Sequence, residues 1–396
     1  MRRGLPGVVA GLGCVAAVAL AVAATRHAPH ADGSPVDPHG AWRTAWIGGV
    51  VAALALSGVG VLLARGGRLR LRAALVAAVV VQVLPLAAPL LLSQDAYLYW
   101  AEARIITVHH HSPYRVTPSA YPDDPGTRVM SREWVAQKEP YGPVWAVVST
   151  VPALAAGNSA HDAQLFYRLL AVLGILATVA VVAAKTRSAQ AVALLGWSPL
   201  VALHFAGGGH SDALLVLALV GAVALGATFW GGALWPVAAL MKAVPVVVLP
   251  LELARRRLRV PRSFWFGLGA SAVVLLAWSF AVFRTGWITG STAAAHETSP
   301  IGGVHFLTEA GLRHRYAVVI GGLVFLAVYA LLLREAWRRG RGHLGFALAA
   351  LCMCSSLLRP WYALWPLALA ALEEDELSMV AAYALSAYVL FADALP

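Results

Sequence analysis

A chain of 396 residues that is 60% hydrophobic and only 12% charged falls far below the roughly 25% charged residues of a soluble domain, which excludes a water-soluble globular protein. The net charge of +11 by itself would suit nucleic acid. The basic residues, however, sit in short clusters between apolar runs and build no compact basic domain, which excludes a duplex-binding module.

Runs such as Val8–Ala24 and Ala213–Trp230 approach the ~20 residues that span a bilayer core. They are too long and too continuously apolar for barrel strands, so helices are expected. The clusters Arg2–Arg3, Arg65–Arg72, Lys185 with Arg187, Arg255–Arg262 and Arg334–Arg341 follow the positive-inside pattern and mark cytoplasmic loops. Helix 1 covers about 5–24 and is expected to remain as a membrane helix rather than be cleaved as a signal peptide. Helices at about 45–64 and 73–92 follow, and the long polar stretch Ser93 to Gly142 then falls outside. Residues 144–157, with Pro152, read as a partly inserted helix. Helices at about 164–184, 189–206 and 212–228 come next, and 231–254, broken near Lys242 and Pro245, reads as a re-entrant pair of half-helices. A helix at 264–282, an outer loop at about 284–316, helices at 317–336 and 344–358, a short helix ending at Glu373–Glu376 and a last helix at 377–394 complete the chain. The fold class is an all-α polytopic membrane protein with about 11 transmembrane helices plus short outer-face and re-entrant helices. Cys14, Cys352 and Cys354 lie in apolar runs and suggest neither a disulfide framework nor a zinc site.

Polar residues gather on the outer face. Asp95, Glu102, His109–His111, Tyr114, Asp123, Asp124, Glu133 and Glu139 fall in the first outer loop, and His296, Glu297, His305, Glu309, Arg313, His314 and Arg315 in the second. Short turns add His210 with Asp212, and Arg359 with Trp361 and Tyr362. Asp95 follows an apolar run directly, where partial desolvation raises a carboxyl pKa toward the range useful for a general base; a helix-cap role is the plainer alternative. Lys242, a lone ammonium in an apolar segment, either binds a phosphate or snorkels to the interface. Arg359 is a second phosphate candidate, and Arg313, His314 and Arg315 are others, unless they form a solvated loop before a helix. His210 and Asp212 orient an acceptor or cap a helix, while Tyr97, Tyr99, Tyr114, Tyr141, Trp361 and Tyr362 stack on sugar or belong to an interfacial aromatic belt. His109 and His305 are further candidates for sugar contact. Three consecutive histidines do not share a helical face, and Asp123-Asp124 sits in a Pro/Gly turn, so no metal is expected.

Asp95 at the outer end of a helix, then Ser112-Pro113-Tyr114, Tyr141-Gly142-Pro143, Gly207-Gly208-Gly209-His210-Ser211-Asp212, Lys242-Ala243-Val244-Pro245 with Leu249-Pro250, and Pro360-Trp361-Tyr362 with Trp365-Pro366 occur in an order that resembles polyprenyl-phosphate-mannose-dependent mannosyltransferases of actinobacterial cell envelopes. These belong to the GT-C superfamily, near glycosyltransferase family 87. Ser211 stands where the family has Asn and Arg359 where it has Gln, and the triple histidine is not a family feature.

The resemblance implies a single integral membrane domain over 1–396, with an N-terminal helix pair at 5–72, a GT-C-like catalytic core at 73–372 and a last helix at 377–394. It implies an inverting glycosyltransferase that moves mannose from polyprenyl-phosphate-mannose to a glycolipid or glycan acceptor, with Asp95 as general base and no metal or other cofactor. Its partners are then membrane lipid, a polyprenyl-phosphate sugar donor and the acceptor, with no nucleic acid. The implied location is the plasma membrane, multi-pass, with the site facing the extracytoplasmic side. Two other readings stand beside this one: a flippase or transporter of a lipid-linked sugar, and a GT-C enzyme using another polyprenyl-phosphate sugar such as arabinofuranose or glucose. Polar groups gathered at one leaflet, with no visible inverted repeat, favour the enzyme over the transporter.

Overall fold

The structure, a computed structural model, describes residues 4–28, 38–288 and 298–394; Arg2, Arg3, His296 and Glu297 lie outside them. The described residues contain helices and no β-strand, as the long apolar runs require. α1 (Leu5–Thr25) and α2 (Ala41–Arg65) form an antiparallel hairpin. α3 (Leu71–Val83) leaves the Arg65–Arg72 cluster and tightens into a 3-10 turn, Leu84–Ala87. The helix expected to reach about residue 92 ends early, because Pro85 and Pro89 lack the N–H that would continue the ladder. The irregular stretch that follows delivers Ser93 to the start of α4 (Asp95–Thr107).

The next segment holds α5 (Pro125–Val129), α6 (Pro143–Val148) and α7 (Thr150–Ala156), so 144–157 is two short helices rather than one. α8 (Ala160–Thr186) is a long apolar helix, and α9 (Ala189–Gly196) bends by 43° at Trp197-Ser198-Pro199 into α10 (Pro199–Val201) and a π turn, Ala202–Ala206. α11 (Asp212–Leu225) leads to α12 (Phe229–Ala239) and α13 (Pro245–Arg255), separated at Leu240–Val244 as the proline and lysine suggested. α14 (Arg262–Phe283), α15 (Gly303–Glu309), α16 (His314–Arg339), α17 (Leu344–Cys354), α18 (Leu364–Glu373) and α19 (Glu376–Ala394) complete the order.

Among the described residues, six helices, α1, α2, α8, α14, α16 and α19, are long and apolar enough to cross a bilayer, and the bent pair α9–α10 makes up to seven. The remainder of the expected count of about 11 rests on shorter apolar helices such as α11 and α17.

Ion pairs show which ends of the helices lie together. Arg65 meets Glu376 at 2.9 Å, Arg255 lies 3.8 Å from Glu373, and Arg257 donates to the carbonyls of Trp337 and Arg338. The basic clusters at 65–72, 255–262 and 334–341 therefore share one end of the bundle with the acidic turn at 373–376. α3, α13 and α19 each have one end there, and their other ends carry the approach to Asp95, the Lys242 break and Asp393. Gly226, at the end of α11, adjoins the Arg256 guanidinium, so α12 and α13 form a hairpin that starts and finishes near the basic end and brings Lys242 to its tip.

Candidate active site

Asp95 opens α4; the Gln94 side chain does not cap the helix, while Ser93 Oγ accepts from Asp95 N–H at 3.1 Å. Its carboxylate is turned to other groups. Oδ1 accepts from the Ser93 hydroxyl at 2.9 Å, and Oδ2 from the Tyr99 hydroxyl at 3.2 Å, while His210 Nδ1 lies 3.1 Å from Oδ2. Tyr99 is one helical turn along α4, so local periodicity supplies that contact. His210 comes from the Gly-rich turn before α11, where Gly209 takes φ +80°, a conformation that favours glycine.

Burial pushes the Asp95 carboxyl up, but the bonds from His210 and Ser93 and the charge of Arg359 outweigh it and hold the group below the usual carboxylate range. The expected upward shift is thus reversed: desolvation is present, and two hydrogen-bond donors with the Arg359 charge overcompensate it. The carboxylate is ionised and oriented, the form a base needs to accept a proton.

Lys242 reaches the same pocket from the α12–α13 tip. Its Nζ donates to Asp212 Oδ1 at 3.0 Å and Oδ2 at 3.4 Å, and lies 4.1 Å from the Tyr362 ring centre and 5.0 Å from that of Trp365. Asp212 also accepts from Trp365 Nε1 at 2.7 Å, so this fully buried carboxylate is satisfied from both sides. Tyr362 stacks on Trp365, and Trp361 stacks on His210 with centroids 3.8 Å apart. Arg359 adjoins them, its guanidinium 5.9 Å from the Trp134 ring. Together Asp95, Trp134, Tyr141, Lys242, Arg359 and Tyr362 line a cavity of about 410 Å³, with Ser93, Trp361 and Asp393 also on its walls.

Backbone contacts bring these pieces into register. Gly142 N–H donates to the Met241 carbonyl at 3.0 Å and Val144 N–H to that of Leu240 at 3.1 Å. A Cβ at Gly142 would run into the Leu240 backbone, so only glycine allows the Tyr141 loop to lie this close to Lys242. Tyr114 donates to the Tyr141 carbonyl at 2.9 Å, and the Tyr99 hydroxyl lies 3.3 Å from that of Tyr141.

Among the sequence-derived candidates, Asp95, Tyr141, Lys242, Arg359, Trp361 and Tyr362 line one cavity. Tyr99, His210 and Asp212 stand directly behind it as their partners, and Tyr114 supports the Tyr141 backbone. Tyr97 is buried in the core beside them. Arg313, His314 and Arg315 sit exposed at the start of α16 and do not line the cavity; Arg315 bonds the Tyr316 hydroxyl at 3.0 Å. His305 is 3.9 Å from Glu309 on α15, likewise outside the cavity. His109 stacks on Tyr121 and lies 2.9 Å from Asp124, which Arg104 also engages at 2.7 Å. The histidine run thus clasps its own loop, and Asp124 caps α5 by accepting from Gly126 N–H. Among the described residues, no group of three or more His, Cys, Asp or Glu side chains is placed to hold a metal.

Arg168 and Asp393 escaped the sequence reading, and the pairing of Glu102 with Glu139 was not foreseen. Arg168, fully buried in α8, donates to the carbonyls of Pro85, Ala88 and Ala206 and so ties the strand-like approach to Asp95 to the turn that carries His210. A lone arginine within an apolar helix was the available signal. Glu102 and Glu139, both buried, pair behind the Tyr141 loop, whose Tyr141 N–H donates to Glu139 at 3.2 Å. Asp393, an acid in the last turn of an apolar helix, lines the cavity.

An apolar groove of about 680 Å³ runs beside the site, lined by α8, α11 and α12 from Lys185 at one end to Val144 and Met241, the neighbour of Lys242, at the other.

Known proteins resemble this chain over most of its length. The family model described as the N-terminal domain of alpha-(1->6)-mannopyranosyltransferase matches residues 10–255, and the one described as the MptB C-terminal domain matches residues 291–395. Alpha-(1->6)-mannopyranosyltransferase A of Mycobacterium tuberculosis is 27% identical over 76% of the chain and 67% of that relative. Alpha-(1->6)-mannopyranosyltransferase B of Corynebacterium glutamicum is 26% identical over 71% of the chain, which spans only 55% of its length. No solved structure was found to match.

Proposed function

Because the chain belongs to the alpha-(1->6)-mannopyranosyltransferase family, we propose that it is a GT-C glycosyltransferase that moves mannose from polyprenyl-phosphate-mannose to a glycan or glycolipid hydroxyl, at a site facing the extracytoplasmic side. Asp95 takes the proton of the acceptor hydroxyl as that oxygen attacks the anomeric carbon, and the bond from that carbon to the phosphate oxygen breaks on the opposite face. A β-linked donor then yields an α-glycoside. One base and a stabilised leaving phosphate suffice, without the second catalytic carboxylate of a hydrolase and without a metal.

The observation that carries this reading is one cavity with an ionised, triply hydrogen-bonded carboxylate on one wall and two cations, Lys242 and Arg359, on others. Cations in a poorly hydrated site stabilise charge developing on a departing phosphate. The groove ending beside Lys242 suits the prenyl chain of the donor. With purified protein, polyprenyl-phosphate-mannose and a mannoside acceptor, Asp95→Asn should lower turnover by about 10²-fold or more, the usual contribution of a positioned base. A folded Asp95→Asn variant with near-normal turnover would refute the assignment.

A further inference from the structure

We infer that Asp393, on the last turn of α19, binds a sugar hydroxyl in the cavity and helps to select the sugar that enters it. The inference rests on the transfer reading above and concerns the same cavity. Three acidic residues line that space: Asp95, Glu133 and Asp393. Asp95 is engaged by Ser93, Tyr99 and His210, and Glu133 is exposed at the rim. Asp393 differs from both. Its side chain is 29% exposed, and its buried Oδ2 has no hydrogen-bond partner. The nearest basic atom is His204 Nε2 at 3.4 Å, on the π turn, and that nitrogen makes no hydrogen bond either.

The exposed part of the side chain belongs to the cavity wall, and a carboxylate there is favoured further once a ligand supplies a donor to it. An ionised carboxyl only accepts, so the ligand atom facing it carries a proton. A phosphate oxygen would be repelled, whereas sugar hydroxyls donate. Within one cavity, Lys242 and Arg359 suit the anionic part of the donor, and Asp393 suits a neutral polyol. The hydroxyl belongs either to the transferred mannose or to the acceptor, since both must occupy this space.

The test uses the full-length protein in detergent micelles, with decaprenyl-phosphate-mannose as donor and octyl α-mannoside as acceptor, each also as analogues lacking one hydroxyl. Asp393→Ala should raise KM for one of the two sugars about tenfold or more, as expected for a lost bond to a charged acceptor, and lower kcat less. That penalty should vanish with the deoxy analogue of the same sugar, and whether that analogue is a donor or an acceptor identifies the contact. Unchanged KM for both sugars, or an equal penalty with every analogue, would overturn the inference. Asp393→Asn, which preserves shape, carries the same comparison should the alanine variant fail to fold. Equilibrium binding of the two compounds separates this inference from the reading beneath it. Asp393-dependent hydroxyl selectivity without transfer would refute the transferase and keep the contact. Normal transfer by every Asp393 variant would do the reverse, and wild-type protein that binds neither sugar would refute both.

Discussion

Lys242 answers to two demands. Its ammonium neutralises the buried Asp212 and also faces the cavity among Tyr141, Tyr362 and Trp365. Snorkelling is not what the side chain does, since it turns inward to a carboxylate and three rings. Lys242→Met strands Asp212 and should destabilise the protein by about 3–5 kcal/mol, the usual result of breaking a buried pair, while also removing turnover. Adding Asp212→Asn removes the stranded charge. Thermal unfolding in detergent should then recover in the double variant, with turnover still lost, if the ammonium serves the donor phosphate. Joint recovery of both would leave Lys242 as a structural counter-ion only.

At the scale of elements, α4 is the functional ruler. Asp95, Tyr99 and Glu102 follow each other at i, i+4 and i+7, so one face carries the proposed base, its hydroxyl partner and half of the carboxyl pair. Burial raises both members of that pair. Glu102 is held well above the ordinary glutamate value, with the charges of Glu139 and Asp95 adding to the effect, and Glu139 is pushed up to about 7. A carboxyl with a raised folded pKa stabilises the fold below its unfolded value of 4.5 and loses that contribution as pH climbs through about 7. Melting temperatures measured across that window should fall with rising pH, by up to ~1.4 kcal/mol per pH unit in stability. Glu102→Gln relieves the repulsion and should flatten the slope; an unaltered slope would place the pH dependence elsewhere.

For the whole molecule, the ion pairs that gather the basic clusters at one end imply that the cavity opens toward the other. Under the positive-inside rule this end is the proposed extracytoplasmic one. A cysteine introduced at exposed Arg132 should react with a membrane-impermeant maleimide on intact cells, and one at exposed Arg341 only after permeabilisation. The opposite labelling pattern would invert the topology and remove access to an outer-leaflet donor.

Much of the site was legible. Asp95 stood out because a carboxylate directly after an apolar run is partly desolvated, and Lys242 because a lone ammonium in an apolar segment is costly, although a helix cap and snorkelling were the plainer alternatives. The helices announced themselves through continuous hydropathy, and Pro245 and the neighbouring Lys242 marked the break in the hairpin. Arg313, His314 and Arg315 looked equally suitable, yet they sit exposed at the start of α16, outside the cavity. Local composition cannot say which of several cationic loops faces a given carboxylate. Hydropathy and charge order are properties of neighbours along the chain, so the sequence by itself determined a helical membrane protein and the break near Lys242 and Pro245, but not the early end of α3 or the division of 144–157 into two helices. That His210 meets Asp95 across 115 residues, that Asp212 meets both Lys242 and Trp365, and that Asp393 returns from the last helix to the first polar loop are matters of packing. Only the tertiary structure decided them, because those contacts depend on how the helices converge in space, which spacing along the chain does not encode.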